Sequence, residues 1–181
     1  MFNLYTVRVD PHCRAHENHS VPPSFPLFSS YKQHLVLARL DLVVASIHSR
    51  MHLSRQKQTE RILRAMDHPY FTILAHPTGR LIQEREPYDV DMPRIIHHAR
   101  ARGCFLELNA YPQRMDLLDS YCQLAKHEGV LISINSDAHS ILDFNHLRFG
   151  IGQARRGWLE KDEVLNTRPL RSLLPLLKRG V

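Results

Sequence analysis

No apolar run in this chain approaches the roughly 18–20 residues that a membrane-spanning helix requires, which argues against a helical membrane protein. The opening residues, MFNLYTVRVDPHC, hold no basic segment followed by an apolar core, so no secretory signal is recognisable. Cysteine is scarce. Cys13, Cys104 and Cys122 form an odd set without a close pair, which excludes a disulfide framework and fits free thiols in a reducing cytoplasm. A cytoplasmic protein is the expectation, and no shift in composition marks a second globular domain.

The 181 residues are enough for one domain with a hydrophobic core, and an apolar fraction of 43% is ordinary. The net charge of +6 permits an anionic partner such as nucleic acid without requiring one. Histidine is more unusual: 13 of them, the commonest metal ligand, in a chain of this size.

Residues 1–34 read as an irregular segment. Pro22, Pro23 and Pro26 exclude a regular helix or central strand across them, and no clean period is visible. His12, Cys13, His16 and His19 read more readily as incidental residues of a polar tail than as a metal cluster. Order begins near Leu35, and residues 35–181 form the expected domain. LVVAS (42–46), FTILA (71–75), CFLEL (104–108) and VLISI (130–134) are expected strands. Helices are expected over 53–66 with Ser54 as cap, from Asp91 to Arg102 with Gly103 as stop, and from Asp116 or Leu117 to Glu128. The chain after Ser140 reads as helical with breaks at Gly150, Gly152 and Gly157, and a last helix runs from Pro169 to Lys178. Strand–helix alternation repeated in this way predicts an α/β fold with about four parallel strands.

Polar residues close these apolar runs at near-constant intervals. His48, His76, Glu107 and Asp137 are 28, 31 and 30 residues apart (48 to 76, 76 to 107, 107 to 137). A strand with its return helix takes roughly 30 residues, so each residue falls at the downstream end of a parallel strand, the rim where α/β folds do chemistry. On an extended backbone Asp137 and His139 point the same way. One carboxylate and three imidazoles then suit Zn²⁺, Mn²⁺ or Fe²⁺ better than Ca²⁺ or Mg²⁺. Taken singly, each of these histidines is more often a hydrogen-bonded structural residue; their common register favours ligation. Glu107 is read as orienting a ligating histidine or pairing with an arginine. Arg80 and Arg114, in the loops after His76 and Glu107, are candidates for binding phosphate; exposure or pairing with Glu84, Glu86 or Asp116 is the plainer alternative. The run Arg155-Arg156-Gly157-Trp158 is basic and aromatic, although such a Trp is more often a packing anchor.

The segments LDLVVASIHS, ILAHPTGRLI, LELNAYPQRMDL, INSDAHS and GQARRGWLEKDEVLNT together resemble the PHP (polymerase and histidinol phosphatase) domain at the C-terminal end of bacterial family X DNA polymerases, over about Leu35–Lys178. The resemblance implies a distorted (β/α)7 barrel, here incomplete. It implies two or three divalent metal ions (Mn, Zn or Fe), or fewer in this chain, and phosphoesterase chemistry, chiefly 3′–5′ exonuclease action on DNA in repair. DNA with a free 3′ end or a single strand is the implied substrate, and His48, His76, Asp137 and His139 match family ligands. The family's H-x-H pair and its bridging Glu in a G-x-E segment are not found. The expectation is therefore a truncated, impaired domain, read as the C-terminal part of a longer protein from an interrupted gene. A non-catalytic DNA- or partner-binding remnant and a small-molecule phosphatase are the alternatives.

Overall fold

Short runs of β-branched and apolar residues, each bounded by turn-forming stretches, become strands that pair in chain order. The structure, a computed structural model, describes residues 2–7 and 36–177. Strand β1 (Phe2–Val7) lies antiparallel to β2 (Leu42–Ile47). Strands β2, β3 (Ile73–Leu74), β4 (Phe105–Asn109) and β5 (Ile132–Asn135) then run parallel, in the spatial order β1-β2-β3-β4-β5. Helices α1 (Arg55–Met66), α2 (Met92–Arg102) and α3 (Asp119–His127) connect the parallel neighbours. After β5 come a 3-10 helix (Ile141–His146), α4 (Leu147–Arg156), two short 3-10 turns and α5 (Leu170–Leu177). The α/β class with four parallel strands is as expected, and sequential strand order is consistent with part of a barrel wall. Among the described residues no helix is long and apolar enough to cross a membrane.

Local chemistry explains where elements begin and end. Asp91 caps α2 by accepting the Arg94 N–H at 3.1 Å, and Gly103 ends it in the left-handed conformation at φ 63°. Three expectations are corrected. Phe2–Val7 is a strand, not part of an irregular segment: FNLYTV precedes the prolines that motivated that reading and is rich in strand-forming residues. Residues 8–34, with His12, Cys13, His16 and His19, lie outside the described residues. Helix α3 begins at Asp119, later than expected, because Asp116 is drawn into the loop described below. Helix α4 runs through Gly150 and Gly152 and stops only at Gly157. A Cβ on Gly150 would stand 2.6 Å from the Ala110 Cβ and 2.7 Å from the Ile134 Cγ2, so this glycine lets the helix lie directly on the sheet.

Alternation divides each strand between two faces. Ala45, Ile47, Leu74, Leu106, Leu108, Ile132 and Ile134 point into the main core, against Ile62 and Met66 of α1 and Ile95 and Ile96 of α2. The other face carries Val44, Ile73 and Phe105 in register, beneath Leu173, Leu176 and Leu177 of α5. Two residues further along the strands that second face turns polar: Ser46, Glu107 and Ser133, then Asn109 paired with Asn135. It thus has an apolar floor under α5 and a polar upper part at the strand C-termini. Beyond β5, Asn166 exchanges two hydrogen bonds with the Ile134 backbone, accepting from its N–H at 3.1 Å and donating to its carbonyl at 2.7 Å.

Candidate functional site

The polar upper face is organised around Glu107. Its buried carboxylate accepts the His76 backbone N–H at 2.7 Å, the Asn135 side-chain amide at 2.8 Å and the Asn109 side-chain amide at 3.3 Å. Burial pushes this carboxyl up to about 7, against the opposing pull of those donors. No arginine is among these partners. Glu107 acts on His76 through the main chain, at a residue whose φ of 30° is uncommon for a side-chain-bearing residue.

His76 is buried, and desolvation, followed by the charges of Arg114 and a protonated His48, lowers its pKa to about 3. It is therefore neutral at pH 7. Its Nδ1 is buried with no hydrogen-bond partner. His48, at the end of β2, sets its ring edge-on to His76 with centroids 5.1 Å apart. Desolvation and Arg114 lower its pKa too, while Asp137 raises it. Asp137 also acts on His76. The structure thus brings His48, His76 and Asp137 to one place, with Glu107 beneath and Arg114 alongside.

The remaining expectations fare differently. Asp137 has φ 54°, so the backbone there is not extended, and the same-side geometry expected of Asp137 and His139 does not hold. Asp137 Oδ2 accepts from Arg114 Nε at 3.2 Å. The exposed His139 places its Nδ1 2.8 Å from the Asp137 carbonyl oxygen. Arg114 keeps its Nη1 buried and without a partner. Arg80 turns its hydrogen bonds to carbonyls rather than to the acids proposed for it, although its charge bears on Asp116. Its Nε donates to the Arg114 carbonyl at 2.7 Å and its Nη2 to that of Met115, so it fastens the Arg114 loop from behind.

Residues not expected to hold the site's backbone complete the arrangement. Asp116 is fully buried, and its Oδ2 accepts the N–H groups of Thr78 at 3.0 Å and Gly79 at 2.8 Å. Burial pushes its carboxyl up to about 6, and these donors oppose the shift. Arg85 donates twice to the Gly79 carbonyl, and Tyr88 donates its hydroxyl to Pro77 at 2.7 Å. One signal for the asparagines was present: LELN and ISIN end in the same residue, at the same register of neighbouring strands.

In kind, two imidazole nitrogens and a carboxylate oxygen fit a divalent transition ion. As placed they do not make a complete ligand shell: among the described residues no group of three or more His, Cys, Asp or Glu is positioned to hold a metal ion. The unpartnered Nδ1 of His76 is a donor in want of a partner, while Asp137 is engaged by Arg114.

No family model matches the chain. Over 145 residues, 80% of its length, it is 41% identical to the DNA polymerase/3′-5′ exonuclease PolX of Bacillus subtilis (strain 168), of which it covers 25%. Over 141 residues, 73% of its length, it is 28% identical to a probable phosphatase of Thermoanaerobacter sp. (strain X514), covering 55% of that protein. A probable phosphatase of Edwardsiella ictaluri (strain 93-146) is 26% identical over 153 residues. The chain thus spans a quarter of the first of these relatives and about half of the second. In sequence it is thus similar to the PolX polymerase/exonuclease of Bacillus subtilis, the resemblance expected from AHPTGR, SDAHS and ARRGWL, and less closely to the probable phosphatases.

Proposed function

We propose that residues 35–181 are part of a PHP-type barrel and carry a metal-dependent phosphoesterase site whose substrate is DNA with a free 3′ end. The observation that carries this reading is the pair of imidazoles, His48 and His76, 5.1 Å apart at the C-terminal ends of parallel strands and both with lowered pKa. An imidazole kept neutral keeps a lone pair for ligation. We assign His48, His76 and Asp137 as metal ligands, and His139 as a fourth if its ring leaves the Asp137 carbonyl. A bound Mn²⁺, Zn²⁺ or Fe²⁺ would supply an activated water and neutralise phosphate oxygens.

The other side chains have separate tasks. Glu107 fixes the His76 turn. Asp137 now holds the Arg114 guanidinium at the site, and the partnerless Nη1 is a donor for a phosphate oxygen. Arg80 is assigned to positioning Arg114 through its carbonyl, with direct phosphate contact secondary. The name of the PolX relative supports a DNA substrate. The H-x-H pair and bridging Glu that the PHP resemblance implies have no counterpart that we find in these 181 residues, so turnover by this chain alone should be low.

A small phosphomonoester is the second reading. The probable phosphatases favour it, because the chain covers a larger share of them than of PolX. The test is release of the 3′ nucleotide from a labelled single strand in Mn²⁺, run beside hydrolysis of a phosphomonoester and a measurement of bound metal by mass spectrometry. The reading expects nucleotide release and metal retention that both fall in His76→Ala. Bound metal unchanged by His76→Ala would overturn the ligand assignment, and hydrolysis of the phosphomonoester alone would favour the second reading.

A further inference from the structure

Beside the site lies a surface to which neither the relatives' names nor the ligand assignment gives a task. The loop carrying Asp137 and His139 leads straight into the 3-10 helix Ile141–His146. Asp143 locks the two together, its Oδ2 accepting the N–H groups of His139 and Ser140, each at 2.8 Å. From this helix Ile141 (86% exposed), Leu142 (75%) and Phe144 (61%) project into solvent, an unusual apolar display next to a polar rim. Its last residue, His146, packs edge-on to Tyr111 at 5.3 Å, and Phe149 lies against His146 at 6.4 Å. Tyr111 belongs to the loop that carries Arg114, so these rings tie both rim loops together. Arg148 sits 4.7 Å over the Phe149 ring, and the Nδ1 of His146 is buried without a hydrogen-bond partner.

We propose that Phe144, Phe149, His146 and Tyr111, with Arg148, form a stacking platform for the bases of single-stranded DNA next to the phosphate at the site. The proposal rests on the phosphoesterase reading for its orientation but is tested separately. Three features favour a nucleic acid strand over a protein partner. Aromatic and basic residues are interleaved, whereas a protein-docking face is depleted of charge at its centre. The platform shares a loop with Arg114, whose backbone N–H donates to the Tyr111 carbonyl at 2.8 Å and whose partnerless Nη1 is a donor suited to phosphate. The chain as a whole carries a net charge of +6, complementary to a polyanion. Aromatic faces accept any base, so the contact would be tolerant of sequence and selective for unpaired strands.

The test measures binding by fluorescence anisotropy without metal, so that no hydrolysis intervenes. The probes are a labelled oligothymidylate of about eight nucleotides and an abasic strand of the same length and charge. Wild type should bind the base-bearing strand at least about tenfold tighter, since stacking contributes roughly that much per base. Phe144→Ala/Phe149→Ala should erase the difference while binding the abasic strand as wild type does. Phe144→Leu/Phe149→Leu, which keeps the apolar bulk, should erase it equally. Equal affinity of wild type for both strands would overturn the proposal, as would unchanged discrimination in the Leu variant. Tighter binding of the matching RNA would overturn the assignment to DNA. Self-association of wild type, lost in the Ala variant and kept in the Leu variant, would overturn the proposal by identifying the patch as a contact between copies of the chain. Phosphomonoester hydrolysis in Mn²⁺ should be the same in wild type and variants. If wild type hydrolyses nothing, the phosphoesterase reading fails while the anisotropy comparison still decides on the platform.

Discussion

Asp116 illustrates how single residues set the properties of this site. Its folded pKa, about 6, lies above the ordinary 3.8 because burial disfavours the charge. A raised folded pKa means a stability contribution fully present below about 3.8 and lost as pH rises through about 6. The difference amounts to at most about 3 kcal/mol. His76, with its lowered pKa, pulls in the opposite sense, so a comparison between two chains isolates Asp116. In urea unfolding, wild type should lose stability relative to Asp116→Asn as pH rises from about 4 to about 8. The reverse trend would mean that the Thr78 and Gly79 amides hold Asp116 charged after all. Asp116→Ala also leaves two buried N–H groups without an acceptor and should lower stability by about 2–4 kcal/mol near pH 4, the difference from wild type shrinking as pH rises through about 6. None of this was legible in the sequence. His48 and His76 could be found because strand-end spacing is a one-dimensional signal. Asp116 and Glu107 serve backbone amides that are distant in sequence, and Arg80 turns to carbonyls rather than to an acid. Such pairings exist only after the loops have folded.

Elements were legible where their signals are local. Asp91 and Gly103 bracket α2 as expected, because a cap and a left-handed stop depend only on neighbours. Strand β2 was also readable, from its β-branched run. The course of α4 was not. Glycine in a helical pattern reads as a break, and only the approach of α4 to Ala110 and Ile134 shows why Gly150 is there. The two interior glycines should therefore respond oppositely to alanine. Gly150→Ala forces a methyl into contacts of 2.6 and 2.7 Å and should destabilise by about 1–3 kcal/mol. Gly152→Ala meets nothing within 4 Å and should stabilise by about 0.5–1 kcal/mol. Thermal unfolding of both variants decides the matter, and equal signs would contradict the packing described for α4.

For the molecule as a whole, the expected outcome is weak catalysis. Two neutral imidazoles and one carboxylate, the latter engaged by arginine, make a thin shell for a metal-dependent hydrolase. Removing one well-placed catalytic contact typically lowers turnover about 10²–10³-fold, and on the proposed reading the H-x-H pair and bridging Glu that the PHP resemblance implies have no counterpart in this sequence. Mn²⁺-dependent nuclease assays should accordingly show slow turnover, further reduced in His139→Ala if that residue joins the metal. Robust turnover would show that the residues present suffice. The far edge of the sheet has a consequence of another kind. A strand edge is a template, and the side chain of Asn166 occupies the template position beside Ile134, where the amide of a further strand would otherwise bind. Replacing that amide by a hydrocarbon leaves an unpaired N–H and C=O on β5, available to any extended segment that reaches them. Asn166→Leu should therefore turn a self-limiting sheet into one that recruits strands, visible as concentration-dependent growth in light scattering that the parent chain does not show.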